Sequence, residues 1–181
     1  MKKYLITDPC YILPSDIWTK CCKEAFTNEN RANEIEIFEK CVTDALRAYT
    51  HTKDAVVSDT GYGDWSNAVF CDNNSNKVIN SRFFADSGNV CIVEYNDKVA
   101  IGLINNNNEH LIENGGAALI QVDNDPVIEI DKSDRTWTMI TIKDGSDTFS
   151  TSSGIVSDES YDFDDDEDED DYEDDEYYRG E

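Results

Sequence analysis

The chain has 181 residues, with 40 Asp and Glu against 15 Lys and Arg, for a net charge of −25. That charge argues against direct binding of DNA or RNA, because phosphate contacts need lysine and arginine. The opening MKKYLITDPCYIL is interrupted by Thr7 and Asp8, and is too short and too polar for a signal peptide or a membrane span.

Tyr4, Leu5, Ile6 and Thr7 read as a short strand that Asp8 and Pro9 end. After Pro14, Ser15 or Asp16 is expected to cap a helix reaching about Phe26. Its apolar face is Ile17, Trp18, Cys21, Cys22, Ala25 and Phe26. A polar connector leads to a second helix over about 33–49, where Phe38, Val42, Ala45 and Tyr49 step at helical spacing. Ile37, Cys41 and Ala48 widen that stripe.

From residue 55 the pattern changes to short β-rich segments at 55–58, 66–71, 77–84, 90–95, 98–104, 117–122, 127–130 and 135–142. Asn96 and Asp97 read as a tight hairpin turn between two of them. In the last segment Trp137, Met139 and Thr141 share one face, with Thr136, Thr138, Ile140 and Ile142 on the other. The expected fold is α+β: two N-terminal helices packed on one face of a mostly antiparallel sheet. A single domain covers 1–149, a linker 150–157 and an acidic tail 158–181. The six cysteines (Cys10, Cys21, Cys22, Cys41, Cys71, Cys91) are scattered in mostly apolar company without a C-x-x-C pair. They read as thiols of a reducing compartment, in a soluble cytoplasmic protein with no metal site or cofactor implied.

Residues 158–181 hold sixteen carboxylates against Arg179, so this tail carries −15 and the preceding residues −10. Such a run offers too little apolar surface to offset chain entropy and is expected to be disordered. Five aromatics thread it: Tyr161, Phe163, Tyr172, Tyr177 and Tyr178. A tail that only solubilises has no use for them, whereas one that grips a partner does. Asp162, Phe163, Asp164, Asp165, Asp166, Asp168, Tyr172, Tyr177 and Tyr178 are therefore candidate contacts to a basic partner. The competing explanations are solubility alone and loose cation binding, although no calcium-loop motif is present.

Three loops pair an acid with a turn-former beside an expected strand. The first holds Asp8, Cys10 and Tyr11; the second Gly61, Tyr62, Gly63 and Asp64; the third Asp86 and Ser87. Gathered at one sheet end they would line a ligand cleft, with Lys2, Lys3 and Arg82 as the available cations; otherwise they are ordinary turns. These motifs resemble a group of small uncharacterised phage-encoded proteins that open with a TDPCY-type strand end and carry GDG and DSG turns. The matching positions are 6–12, Trp18, 60–64 and 86–88, within residues 4–95. Trp65 stands where the group usually has a second glycine. The resemblance implies an α+β phage or prophage accessory protein in an infected or lysogenic host, and supplies no catalytic residue.

Signatures of common enzyme classes (G-x-S-x-G, Walker A, H-E-x-x-H, G-x-G-x-x-G) are absent from the sequence. His51 follows the second helix, where it can serve the helix dipole, and no catalytic residue is assigned. The leading expectation is a non-enzymatic host-interaction protein, of counter-defence type, whose tail occupies a basic nucleic-acid-binding surface. The alternative is a module that binds or sequesters a small ligand with the sheet loops, the tail only solubilising.

Overall fold

In this computed structural model, which describes residues 1–61, 65–133 and 138–151, strand β1 (Lys2–Thr7) is the centre of the molecule. Its alternate residues face opposite ways, as extended backbone requires. Leu5 joins one hydrophobic cluster, beneath the helices, while Tyr4 and Ile6 join another, between two sheets. Both faces of β1 are therefore buried, and at about 1.5–3 kcal/mol for each large apolar side chain these burials dominate the core energy.

The chain continues through a 3₁₀ turn (Pro9–Tyr11) into α1 (Ser15–Ala25) and α2 (Glu34–Thr50). Then come β2 (Ala55–Asp59), β3 (Trp65–Cys71), β4 (Val78–Asn80), β5 (Arg82–Ala85) and β6 (Asn89–Glu94). After them lie α3 (Asp97–Asn105), the short α4 (Leu111–Asn114), β7 (Ala118–Val122), β8 (Val127–Asp131), β9 (Met139–Asp144) and β10 (Asp147–Thr151). One sheet has the order β2-β6-β1-β7-β4 and the other β5-β3-β10-β9-β8. Every strand pairing between described residues is antiparallel. The result is α+β with antiparallel strands, as expected, but the strands form two sheets where one was expected, giving three layers: helices, first sheet, second sheet.

The extents of α1 and α2 agree with the periodicity of the sequence, but the buried faces differ from those expected: Ala45 and Tyr49 are half-buried, Ala48 and Phe26 are exposed, and the stripe of α2 turns instead through Leu46 and Thr50. Phe38, Val42, Leu46 and Thr50 form the buried stripe of α2. Phe38 is the hub between the two helices: Trp18 meets it edge-on at 5.1 Å and Phe26 lies tilted against it at 5.2 Å. Pro14 precedes α1, and neither Ser15 nor Asp16 makes the expected cap; no side chain caps this helix. His51 closes α2 in the left-handed conformation, at φ 57°. Cys21 and Cys41 are joined as a disulfide across the two helices, with Cα atoms 5.6 Å apart. This departs from the reading of six thiols, because helix packing aligns two stripes that sequence spacing does not connect.

Three strand assignments change. The segment 98–104 is helical: Asn96 is not a hairpin residue but the N-cap of α3, accepting from the backbone N–H of Lys98 at 2.9 Å and Val99 at 3.1 Å. Val99, Gly102 and Leu103 are buried at helical spacing while Ile101 is 45% exposed, which strand alternation would have placed inside. The segment 77–84 divides into β4 and β5, in different sheets, the chain crossing between them at Ser81. Finally β10 is not among the expected segments, and Ser150 and Thr151, expected in the linker, belong with it to the second sheet. In β9 Ile140 and Ile142 are buried while Met139 and Thr141 are half-buried, as the alternation indicates; Trp137 lies outside the described residues.

Candidate functional site

Antiparallel pairing brings the end of β1, the end of β2 and the start of β6 to one edge of the first sheet. The same edge of the second sheet holds the ends of β5, β8 and β10 and the start of β9. Two of the three sequence-derived loops, 8–11 and 86–88, therefore meet there, and Gly61 follows β2 beside them.

Asp8 is the node of this edge. Its side chain caps the 3₁₀ turn by accepting from the Cys10 N–H at 2.8 Å. It also accepts from the Ser87 N–H at 2.6 Å and from the Ser87 hydroxyl at 2.9 Å. Asp8 is fully buried. Burial raises its carboxyl above the usual range, although the hydrogen bonds from Ser87 and Cys10 pull it down. The Tyr11 hydroxyl donates to the carboxylate of the exposed Asp86, so the two loops are latched twice. Asn106, past the end of α3, fixes the Tyr11 and Leu13 carbonyls at 3.1 and 3.0 Å. The Thr60 N–H donates to the Gly88 carbonyl at 2.9 Å, which joins the end of β2 to the same cluster. Gly61 and Gly88 take positive φ, 77° and 72°, which glycine adopts without steric cost.

These contacts limit the chemistry. Burial, then the charge of Asp8, pushes the Cys10 thiol far up, which disfavours its thiolate form. Burial, then the bond to Asp86, does the same for the Tyr11 phenol. Cys91, fully buried, is raised by burial and again by Asp8. The expected ligand-binding groups Asp8, Cys10, Tyr11, Asp86 and Ser87 are thus largely spent on one another. Gly61 is exposed at this edge, whereas Tyr62, Gly63 and Asp64 lie outside the described residues, as do all the candidate tail contacts from Asp162 to Tyr178.

The cations proposed for the loop edge are elsewhere. Because β1 runs away from Lys2 and Lys3, those lysines sit at the opposite edge, where Lys2 pairs with Asp125 at 2.6 Å and Asp54 at 3.5 Å. Arg82 opens β5 and Ala85, at its far end, reaches the loops. At the loop edge itself Lys132 is paired with Glu39 and, at 2.9 Å, with Asp59. Lys77, opposite, is ringed by Asp123, Asp144 and Asp147 at 2.9, 3.1 and 2.5 Å. Among the described residues no group of three or more His, Cys, Asp and Glu side chains is arranged to hold a metal ion. Nor is any described helix long and apolar enough to cross a membrane.

One concave surface eluded sequence reasoning altogether: an open groove of about 490 Å³ along the seam of α1 and α2. Its signal was present in the partly exposed apolar positions flanking the buried stripes, but only packing of the two helices makes them a groove. No protein-family profile, curated protein or solved structure matches the chain.

Proposed function

We propose that this is a non-enzymatic interaction protein of the phage accessory type, acting in the cytoplasm of the infected or lysogenic host. Its acidic tail occupies a basic, nucleic-acid-binding surface of a host protein, in the manner of a counter-defence factor. The observation that carries this reading is the partition of charge. Residues 158–181 hold −15 with five interleaved aromatics, and the remainder of the chain is itself at −10. A body of the same sign disfavours docking of the tail at home and favours an outside partner. Carboxylates replace phosphates on Lys and Arg, and the aromatics add short-range contact. The loop edge supports the same choice over ligand sequestration, since the polar groups that would hold a ligand are bonded to each other. Thr151, the last described residue, ends β10 at that edge, six residues ahead of the tail in the sequence.

The test is capture from bacterial lysate by full-length and 158–181-deleted protein, with and without competing duplex DNA, followed by binding kinetics on the captured protein. The expected partner is basic, is lost on deletion and is displaced by DNA. Replacing Asp164, Asp165, Asp166 and Asp168 by Asn should slow association and flatten its salt dependence. Replacing Tyr172, Tyr177 and Tyr178 by Ser should speed dissociation and leave the salt dependence intact. Retention of the same partner by the deleted form, or indifference to DNA, would overturn the reading.

A further inference from the structure

The edge opposite the loops, where Lys2 sits, holds a smaller cavity of about 260 Å³. All three layers build it: Arg47 comes from α2, Lys53 and Asp54 lead into β2, and Asp125 and Pro126 lead into β8. Strands β2 and β8 are the outer strands of their sheets, so the cavity opens at the flank of the molecule.

Its charges are divided into two sets. In the first, Lys2 pairs with Asp125 at 2.6 Å, Asp54 at 3.5 Å and Glu94 at 3.8 Å, so one cation serves three carboxylates and two negative charges are in excess. Asp54 is fixed in place. Its carboxylate accepts from the hydroxyl of the buried Tyr4 at 3.1 Å, its N–H donates to the Thr52 hydroxyl at 3.1 Å, and its carbonyl accepts from the Glu94 N–H at 3.1 Å. The second set is Arg47 and Lys53. Arg47 is anchored through Nε, which donates to the Ala55 carbonyl at 3.1 Å. Among the described residues neither Arg47 nor Lys53 forms an ion pair, although Asp54 and Asp125 line the same cavity. Two cations and two excess negative charges are thus held apart by the fold in one small space.

A ligand that joins the two sets carries both signs. A guanidinium receives a carboxylate through parallel N–H donors, and the carboxylates around Lys2 receive an ammonium. Val56, Pro126 and Ile128 supply apolar surface beside them. At about 30 Å³ for each water-sized group, the cavity has room for about nine, which suits a molecule the size of valine or leucine. A plain anion satisfies Arg47 and Lys53 but is repelled by the carboxylates around Lys2.

We infer that this cavity binds a small zwitterion of the aliphatic α-amino acid class. The ligand carboxylate lies on Arg47 and Lys53, its ammonium on Asp54 and Asp125, and its side chain on Val56, Pro126 and Ile128. The site is independent of the acidic tail and stands or falls without it.

The test is calorimetric titration of the full-length protein with L-leucine, with two analogues that each keep one charge, isopentylamine and isocaproate, and with inorganic phosphate. L-Leucine should saturate below about 10 mM and bind about ten-fold more tightly than either analogue, the difference expected for one charged hydrogen bond. Arg47→Gln should reduce leucine to the affinity of isopentylamine and leave isopentylamine itself unchanged. Asp54→Asn should reduce leucine to the affinity of isocaproate and leave isocaproate unchanged. Lys53→Gln, at an exposed position, should weaken leucine in the same direction as Arg47→Gln and serves in its place if that variant unfolds. Leucine bound no better than its analogues, or indifferent to both Arg47→Gln and Asp54→Asn, would overturn the site. Phosphate bound as tightly as leucine would overturn the zwitterion in favour of a plain anion, and an absence of saturation by leucine would overturn both.

Discussion

Two buried aspartates of opposite character show how much single residues decide here. Asp144, its side chain fully out of solvent, accepts from the Asp123 N–H at 2.7 Å, the Asn124 N–H at 3.1 Å, the Asn124 side-chain amide at 3.0 Å and Lys77. Burial alone would raise its carboxyl; the bonds from Asp123, Asn124 and Lys77 outweigh burial and hold it below the usual range. A depressed folded-state value means stability present above the unfolded value of about 3.9, and lost as pH falls through the folded one. Asp144→Asn should therefore lower the urea midpoint at pH 7, and the gap to the parent should narrow as pH falls below about 4. Urea unfolding at pH 7, 5, 4 and 3, on the order of four points across that range, reads this directly. Asp8 has the reverse sign: its carboxyl is raised by burial, so its contribution grows as pH falls through the folded value. A gap at position 144 that held constant with pH would mean the carboxylate charge is not what the surrounding donors stabilise.

At the scale of elements, α3 depends on Asn96. Besides capping two backbone N–H groups, its side-chain amide donates to the Thr50 carbonyl at 2.9 Å, tying the start of α3 to the end of α2. Asn96→Ala should cost about 1 kcal/mol or somewhat more, because the cap and the tie are lost together. Asn96→Asp keeps the acceptor for the cap and loses only the donor, so it should fall between. Hydrogen exchange at Lys98 and Val99 should accelerate first, ahead of the β1 amides. Uniform acceleration across both elements would show that the cap serves global stability and not the local helix. The close seat of α3 adds to the constraint: a Cβ on Gly102 would sit 2.6 Å from the Ile12 carbonyl oxygen. The outer edge of β2 is closed by comparable means. Arg47 donates to the Ala55 carbonyl at 3.1 Å, Glu39 accepts from the Asp59 N–H at 2.7 Å, and Thr138 donates to the Asp59 carbonyl at 2.8 Å. An edge satisfied in this way is poorly disposed to pair with another chain.

For the whole molecule, the two described hydrophobic clusters run from Tyr4 to Phe149, and the acidic composition of 158–181 offers little apolar surface to add to them. Deleting 158–181 should leave a single cooperative thermal transition. At low ionic strength the midpoint should rise slightly, by less than about 1 kcal/mol in stability, as like-charge repulsion is relieved. That gain should vanish in about 0.5 M salt, where screening is within a few ångströms. A fall of several degrees on deletion would show instead that Tyr161, Phe163 or Tyr172 contributes to the folded body.

Local pattern was enough for α1, α2 and the alternation of β9, because helical and strand periods are written in nearest-neighbour spacing. It was also enough for the charge partition, which needs only counting. The hairpin at Asn96 was misread because its residues suit a turn and a helix cap equally, and the choice fell to Thr50, forty-six positions away, and to the burial of Val99 and Leu103. Likewise the acids at 8 and 86 could be recognised as turn residues. Whether they would face a ligand or one another depended on sheet order, which sets β1 beside β6 and latches Tyr11 to Asp86. The Cys21–Cys41 link and the groove above it belong to the same class. They arise from two helix faces meeting, and sequence spacing along either helix does not carry that information.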